Sequence, residues 1–387
     1  MAWPVRPMSL VVGGIVKPDD VVGRYRDAAA VLAALPHSGA VLIGDRRHGK
    51  TSLARMVAHQ VRNTGALVGA ASAERGTYAD FVSALAAELA RFEPSWSQEL
   101  AKLRVSLNAG PMTIEREARA ATALDELLRQ AVDRANGRQV VLFIDEVTVL
   151  ARRLERVQSG TGDDFLRTLR RFRQEYGGSV ATVLSGSIGF HHVSVDAPST
   201  VNDIRKITVG PIRADHAAFL AECLLLGIGV YPPEAHRVAP AVAESAEGVP
   251  YYIQHLVLAL QDHYLRDGRL PPADQIPDLV TAAVEDLNDP WDLRHYRDRL
   301  HNYYGPDADA IAGVLDIYAH AVAPLTVDNT LMLLSNEGSP IRDRHQLVYL
   351  IERLELDHYL VRDGLPNGGA DHFASPLIQR AWRAMRR

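Results

Sequence analysis

Ala40-Val41-Leu42-Ile43-Gly44-Asp45-Arg46-Arg47-His48-Gly49-Lys50-Thr51-Ser52 is the stretch on which the reading of this chain turns. A short apolar run ends at a glycine, and the spacing from Gly44 to Gly49-Lys50-Thr51 fits the GxxxxGK[ST] pattern. A helix-like segment, TSLARMVAHQV, follows at once. A strand before and a helix after are the context in which this pattern makes a phosphate-binding loop. Glycines let the backbone curl until its N–H groups converge on an anion at the positive end of the next helix. Lys50 would set its ammonium against the outer phosphates, and Thr51 would offer a hydroxyl to magnesium. Gly44, Asp45, Arg46, Arg47, His48, Gly49, Lys50, Thr51 and Ser52 are therefore the candidate ligands of a triphosphate.

A second stretch completes the pattern. Val140-Val141-Leu142-Phe143-Ile144 reads as a buried parallel strand, and it ends in Asp145-Glu146. An acid just past the end of such a strand lies beside the loop, where Asp145 can hold magnesium directly or through water. Glu146 is placed to polarise an attacking water, which favours hydrolysis over mere binding. ATP and Mg2+ are the expected cofactors.

The first half of the chain alternates apolar runs with amphipathic segments, as an α/β parallel sheet does. The expected strands are Ala40–Ile43, Ala66–Ala70, Val140–Ile144 and Val180–Leu184, with Tyr78, Phe81, Val82, Leu85 and Leu89 forming one face of a helix. From Pro211 the strand pattern stops and residues 213–265 read as helices. The proline- and aspartate-rich stretch 269–290 reads as a boundary. Beyond Trp291 come further helices, one with Leu347, Leu350, Ile351 and Leu354 on a single face. Tyr359-Leu360-Val361 and His372-Phe373 then read as a short hairpin. The expected architecture is a P-loop NTPase (AAA+-like) core over 1–210, a helical lid over 211–288 and a winged-helix domain over 289–387.

These residues together resemble the AAA+-related ATPases called the archaeal ATPase family, near the STAND and Orc/Cdc6-like NTPases. Gly44 to Leu53 is similar to that family's GPRRxGKTSL, with Asp45 where proline is usual. Val22-Gly23-Arg24 resembles the family's box that contacts adenine, with Tyr25 where an acid is usual. The resemblance implies a polar sensor at Leu184-Ser185-Gly186-Ser187, with Ser185 and Ser187 as equal candidates. It also implies that Arg205 serves in trans as an arginine finger; a solvated surface arginine is the competing reading. Gly248-Val249-Pro250 is similar to the turn that lies over the nucleotide in relatives, so Gly248 and Pro250 join the cofactor-binding candidates. The implied function is an ATP-hydrolysing AAA+/STAND-like ATPase, forming a homo-oligomer when ATP-bound and coupling nucleotide state to a protein partner. A nucleotide-gated scaffold with little turnover and an origin-recognition-like DNA binder are the alternatives.

Charge weighs against the DNA reading. The whole chain carries a net charge of -5, and residues 291–387 contain 11 Arg against 13 Asp and Glu. Phosphate neutralisation dominates DNA affinity and needs a basic face. The helix over 344–356 sets Glu352 and Glu355 against Arg344 and Arg353, and the wing loop LPNGGAD has no base. Arg380, Arg383, Arg386 and Arg387 make a small terminal cluster. The single cysteine, Cys223, fits a reducing compartment, and the apolar stretch Leu10–Val16 is too short to span a bilayer. A cytoplasmic protein with no membrane partner is expected. His191-His192 lacks ligand spacing, so no metal beyond magnesium is expected.

Overall fold

The computed structural model describes residues 4–92, 96, 114–364 and 369–386. They fall into two compact units. One spans residues 15–210; the other joins residues 211 onward to the N-terminal stretch ending at Gly14.

The first unit is built on a parallel sheet of β1 (Gly39–Ile43), β2 (Leu67–Ser72), β3 (Val140–Asp145), β4 (Val180–Ser185) and β5 (Arg205–Thr208), in the order β2-β3-β4-β1-β5. Its helices are α1 (Tyr25–Ala34), α2 (Lys50–Arg62), α3 (Tyr78–Phe92), α4 (Ile114–Ala135), α5 (Val147–Val157) and α6 (Thr161–Glu175). Both faces of the sheet are covered, which is why β1 to β4 are mainly apolar. Val140, Leu142 and Ile144 pack with α3 to α6, including the Phe81, Leu85 and Leu89 stripe. Val141 and Phe143 pack on the other face with α1 and α2. The chain leaves β1 across one face and β4 across the other, so β1 and β4 flank a topological switch point, where a crevice opens at the carboxyl ends of the strands.

Four of the five strands fall where the apolar runs placed them. β5 has no such signal. It is a four-residue edge strand, Arg205-Lys206-Ile207-Thr208, with only Ile207 buried. Short, charged edges of this kind prevent further pairing, and they hide a strand from hydropathy.

The second unit contains α7 (Ala214–Gly227), α8 (Pro232–Ser245), α9 (Pro250–Asp267), α10 (Ile276–Glu285), α11 (His295–Tyr304), α12 (Ala308–His320), α13 (Val327–Asn336), α14 (Arg344–Leu356) and α15 (Pro376–Met385). The stretch 269–290 is no bare linker, since it holds α10 with Ile276 and Val280 fully buried. Leu347, Leu350, Ile351 and Leu354 are the buried face of α14. After it, β6 (Leu360–Asp363) pairs antiparallel with β7 (Ala370–Phe373), and Leu325 bridges to Asp371 on the far side of β7. Residues 365–368, within the expected wing, and Arg387 lie outside the described residues.

The terminal helix α15 has no acid in its first turn to complement its exposed amides. Ser375 caps it through Ile378 N–H, 3.1 Å away. The acid comes from Glu247, in the turn before α9, whose carboxylate accepts from Ser375 Oγ (2.6 Å) and Leu377 N–H (2.5 Å). Two first-turn amides of the helix are thus satisfied, one of them by a carboxylate from another part of the chain.

Burial, and a hydrogen bond to Asp371, push the Glu355 carboxyl on α14 up to about 7, against the pull of Arg362, while Glu352 adds to the rise. Between its ordinary 4.5 and that value the folded chain holds a proton that the unfolded chain has lost. Stability from this group is therefore present below the window and declines as pH rises through it. Glu355→Gln is expected to match the parent in thermal unfolding near pH 5 and to melt higher than it near pH 8. Equal melting at both pH values would refute this.

Candidate nucleotide site

β1 ends at Ile43, and the chain must turn sharply there. Gly44 has φ +148°, and a Cβ on it would lie 2.2 Å from the Val209 carbonyl, which closes off that side of the loop. Val209 N–H in turn donates to the Ile43 carbonyl at 2.7 Å, so the exit of β5 holds the entry to the loop. Arg47 (φ +72°) and Gly49 (φ +86°) take left-handed conformations that complete the curl, and Gly49 leads into α2.

Lys50 opens α2 and is only 7% exposed. Its Nζ donates to the Gly44 and Asp45 carbonyls at 2.7 and 2.8 Å. Burial pulls its pKa down, and the nearby charges of Asp45, Glu146 and Asp145 oppose that pull. The ammonium is thus held at the loop mouth, poorly hydrated and facing acids.

One residue on, Thr51 Oγ1 donates to Asp145 Oδ2 at 2.6 Å. Asp145 Oδ1 accepts from Ser185 Oγ. Parallel pairing brings these together: β4 lies between β1 and β3, so the ends of all three strands rise side by side. A threonine hydroxyl beside a carboxylate is a hard-oxygen donor set that fits magnesium. Thr51 and Asp145 would hold that ion, which would neutralise phosphate charge when bound.

Glu146 follows in a left-handed conformation (φ +57°) that turns it away from the strand. Its Oε2 accepts the Ser187 N–H at 2.8 Å. Burial raises its pKa, the Asp145 charge adds to the rise, and the bonds from Ser187 oppose it. The two serines therefore do different things: Ser185 touches the candidate metal-binding acid and Ser187 touches the candidate base. Ser187 Oγ also accepts from Arg46 Nη2 at 3.3 Å.

The rest of the loop is held from behind. Asp45 Oδ1 accepts the Arg46 N–H at 2.7 Å. His48 Nδ1 donates to the Val209 carbonyl at 3.3 Å, and burial lowers its pKa against the nearby charge of Asp45. Ser52 continues α2 and is half-buried. Val22 is buried and Gly23 has φ +77°. Arg24 is 4% exposed, paired with Asp27 at 3.1 Å, and donates to the carbonyls of His48 and Gly210. Its guanidinium braces the loop. A cavity of about 350 Å³ runs from Thr51 and Asp145 along α2, past Arg55 and Arg62.

Arg205 is not brought to this site. It begins β5 opposite Ala40, three residues before Ile43, which puts it about 10 Å down the strand from the loop. Gly248 and Pro250 belong to the second unit. There Gly248 (φ +66°) accepts the Ile212 N–H at 2.9 Å and Pro250 opens α9.

Two supports escaped the sequence. Arg173, fully buried, forks onto Asp203 at 2.9 Å and reaches Thr182 on β4. Thr148, also fully buried, donates to the Ile188 carbonyl at 2.9 Å and packs beside Gly186, which shapes the Ser185–Ser187 turn. A lone arginine and a lone threonine inside helices carry no pattern by which to single them out.

Comparison with known proteins agrees with this geometry. The family model described as AAA domain matches residues 37–193. No curated protein matches the chain. Among solved structures, the Aeropyrum pernix ORC2 protein in ADPNP–ADP complexes is 14% identical, with 94% of each chain covered and a TM-score of 0.53. The Thermotoga maritima RuvB Holliday junction branch migration motor is also 14% identical, covering 99% of this chain and 98% of its own, with a TM-score of 0.41. Domain III of the Thermotoga maritima replication initiation protein DnaA is 15% identical over 68% of this chain and 95% of its own, at 0.42. The ORC2 likeness establishes a shared fold. Residues 37–193 match the AAA domain family model, and the chain has the α/β fold of an AAA+-like P-loop NTPase.

Proposed function

We propose that the protein binds Mg-ATP in the Gly44–Ser52 loop and hydrolyses it, and that turnover changes its assembly with a protein partner. The observation that carries this reading is the convergence at the strand ends: Lys50 at the loop mouth, Thr51 hydrogen-bonded to Asp145, and Glu146 beside them. A protein of the same fold was solved with ADPNP and ADP.

In this reading the loop amides and Lys50 bind the triphosphate, and Thr51 and Asp145 hold magnesium. Glu146 accepts a proton from the attacking water. Its raised pKa suits it to that work, because a base nearer neutrality accepts a proton more readily. Ser185 keeps Asp145 oriented. Arg205 sits too far down β5 to reach its own loop, so it would act on the site of a second copy. Arg173 and Asp203 anchor the segment that presents it.

For the second unit we propose a helical lid over 211–288, with Gly248 and Pro250 at its nucleotide-facing turn, and a winged helix over 289–387. The hairpin after α14 and the Leu325–Asp371 bridge are in keeping with a wing. A protein partner suits this wing better than DNA. Arg344 is paired with Asp328, Arg353 with Asp307, Arg362 with Asp371 and Arg386 with Asp316. Arginines already paired with acids have less charge to give to phosphates. Among the described residues no helix is long and apolar enough to cross a membrane, and a cytoplasmic home is part of the proposal.

Lys50→Ala is expected to abolish Mg-ATP binding in calorimetry. Glu146→Gln should bind ATP as the parent does and lose about 100-fold or more in phosphate release. ATP-dependent assembly without turnover in the parent would favour the gated scaffold. Mixing Glu146→Gln with Arg205→Ala should restore phosphate release that neither variant has alone. A mixture as inactive as its components would remove Arg205 from the mechanism.

A further inference from the structure

We infer that Arg46 is a second cation for the terminal phosphate, supplied by the same chain as Lys50 and held on Ser187 until that phosphate is bound. The inference rests on the nucleotide reading above and gives one residue of its loop a distinct task.

Other buried or half-buried arginines of this unit are met by acids or by several carbonyls, as Arg153 is by those of Ala73, Glu74 and Gly76. Arg24 is paired with Asp27, Arg62 with Glu88 and Arg173 with Asp203. Arg46 is half-buried too, yet among the described residues its guanidinium has a single partner, the neutral hydroxyl of Ser187 at 3.3 Å. No carboxylate is paired with it. A partly desolvated cation without a counter-ion is unfavourable. Lys50 is close enough for the two positive charges to repel, which adds to the pull on the Lys50 pKa. A guanidinium without a paired acid, set beside the Lys50 ammonium at one loop mouth, is matched by a group with several negative charges.

Direction identifies the phosphate. Arg46 does not lean back toward His48 and Arg24, the braced side of the loop. It reaches across to Ser187, whose N–H is bonded to Glu146. The group attacked by a water on Glu146 must lie between Glu146 and Lys50, which is the side Arg46 faces. A diphosphate lacks that group. Arg46 should therefore tell the two nucleotides apart, whereas the loop amides and Lys50 serve both. Because Arg46 and Lys50 share a chain, this discrimination needs no second copy, in contrast to Arg205.

Calorimetry in magnesium with ADP and with a slowly hydrolysed ATP analogue tests the idea on the full chain. Arg46→Ala should weaken the triphosphate about tenfold or more, the worth of one hydrogen bond to a charged group, and leave ADP within about twofold. Arg46→Lys should recover part of the loss. Ser187→Ala should tighten the triphosphate, since nothing then competes for Arg46. Equal weakening of both nucleotides in Arg46→Ala would mean that Arg46 only shapes the loop, and no change in either would remove it from the site. A triphosphate loss in Ser187→Ala as large as in Arg46→Ala would make the serine the reader instead. Any of these three overturns the inference. Normal binding of both nucleotides by Lys50→Ala would instead bring down the nucleotide reading itself, a separate failure.

Discussion

Asp145 takes a hydroxyl on each of its two carboxylate oxygens, Thr51 from α2 and Ser185 from β4. Those contacts join the helix after β1, the end of β4 and the end of β3, and each depends on strands starting and stopping in register. Register in a doubly covered sheet is strongly specified, because slipping by one residue would exchange its two buried faces. Val140, Leu142 and Ile144 belong to one core and Val141 and Phe143 to the other. The geometry of the site is thus held by packing on both faces of the sheet, some distance below the residues that would do the chemistry.

The electrostatics follow from that geometry. Lys50 and Glu146 are both taken from water, and burial pushes each toward its neutral form. Each is countered by neighbours rather than by solvent: carbonyls and acids for the lysine, the Ser187 N–H for the glutamate. Charges kept this way interact strongly with an incoming ion, since little water screens them.

Much of this is legible in the sequence, because the signals are local. Gly44 to Thr51 and Val140 to Glu146 carry strand, loop and chemistry within a few residues, and α14 announces its buried face by spacing alone. β5 could not be read, being short, charged and at an edge. Nor could the different contacts of Ser185 and Ser187, which depend on neighbours about 40 residues away. Arg173–Asp203 and Glu247–Ser375 are pairings of residues distant in sequence, and a single sequence holds no sign of which distant partner a side chain will meet. The stretch 269–290 reads as a boundary by composition, and its prolines and aspartates gave no sign of the helix α10 within it.

Glu247 has a bearing on how the chain can be dissected. A fragment beginning near residue 289 would keep Ser375 and the whole of α15 but leave behind the carboxylate that accepts from its first turn. Losing hydrogen bonds to a charged acceptor costs roughly 1.5 kcal/mol or more, a sizeable share of what holds a small isolated module together. The C-terminal hundred residues are therefore a poor choice for autonomous expression, and an excised piece that retains the turn before α9 is the better boundary.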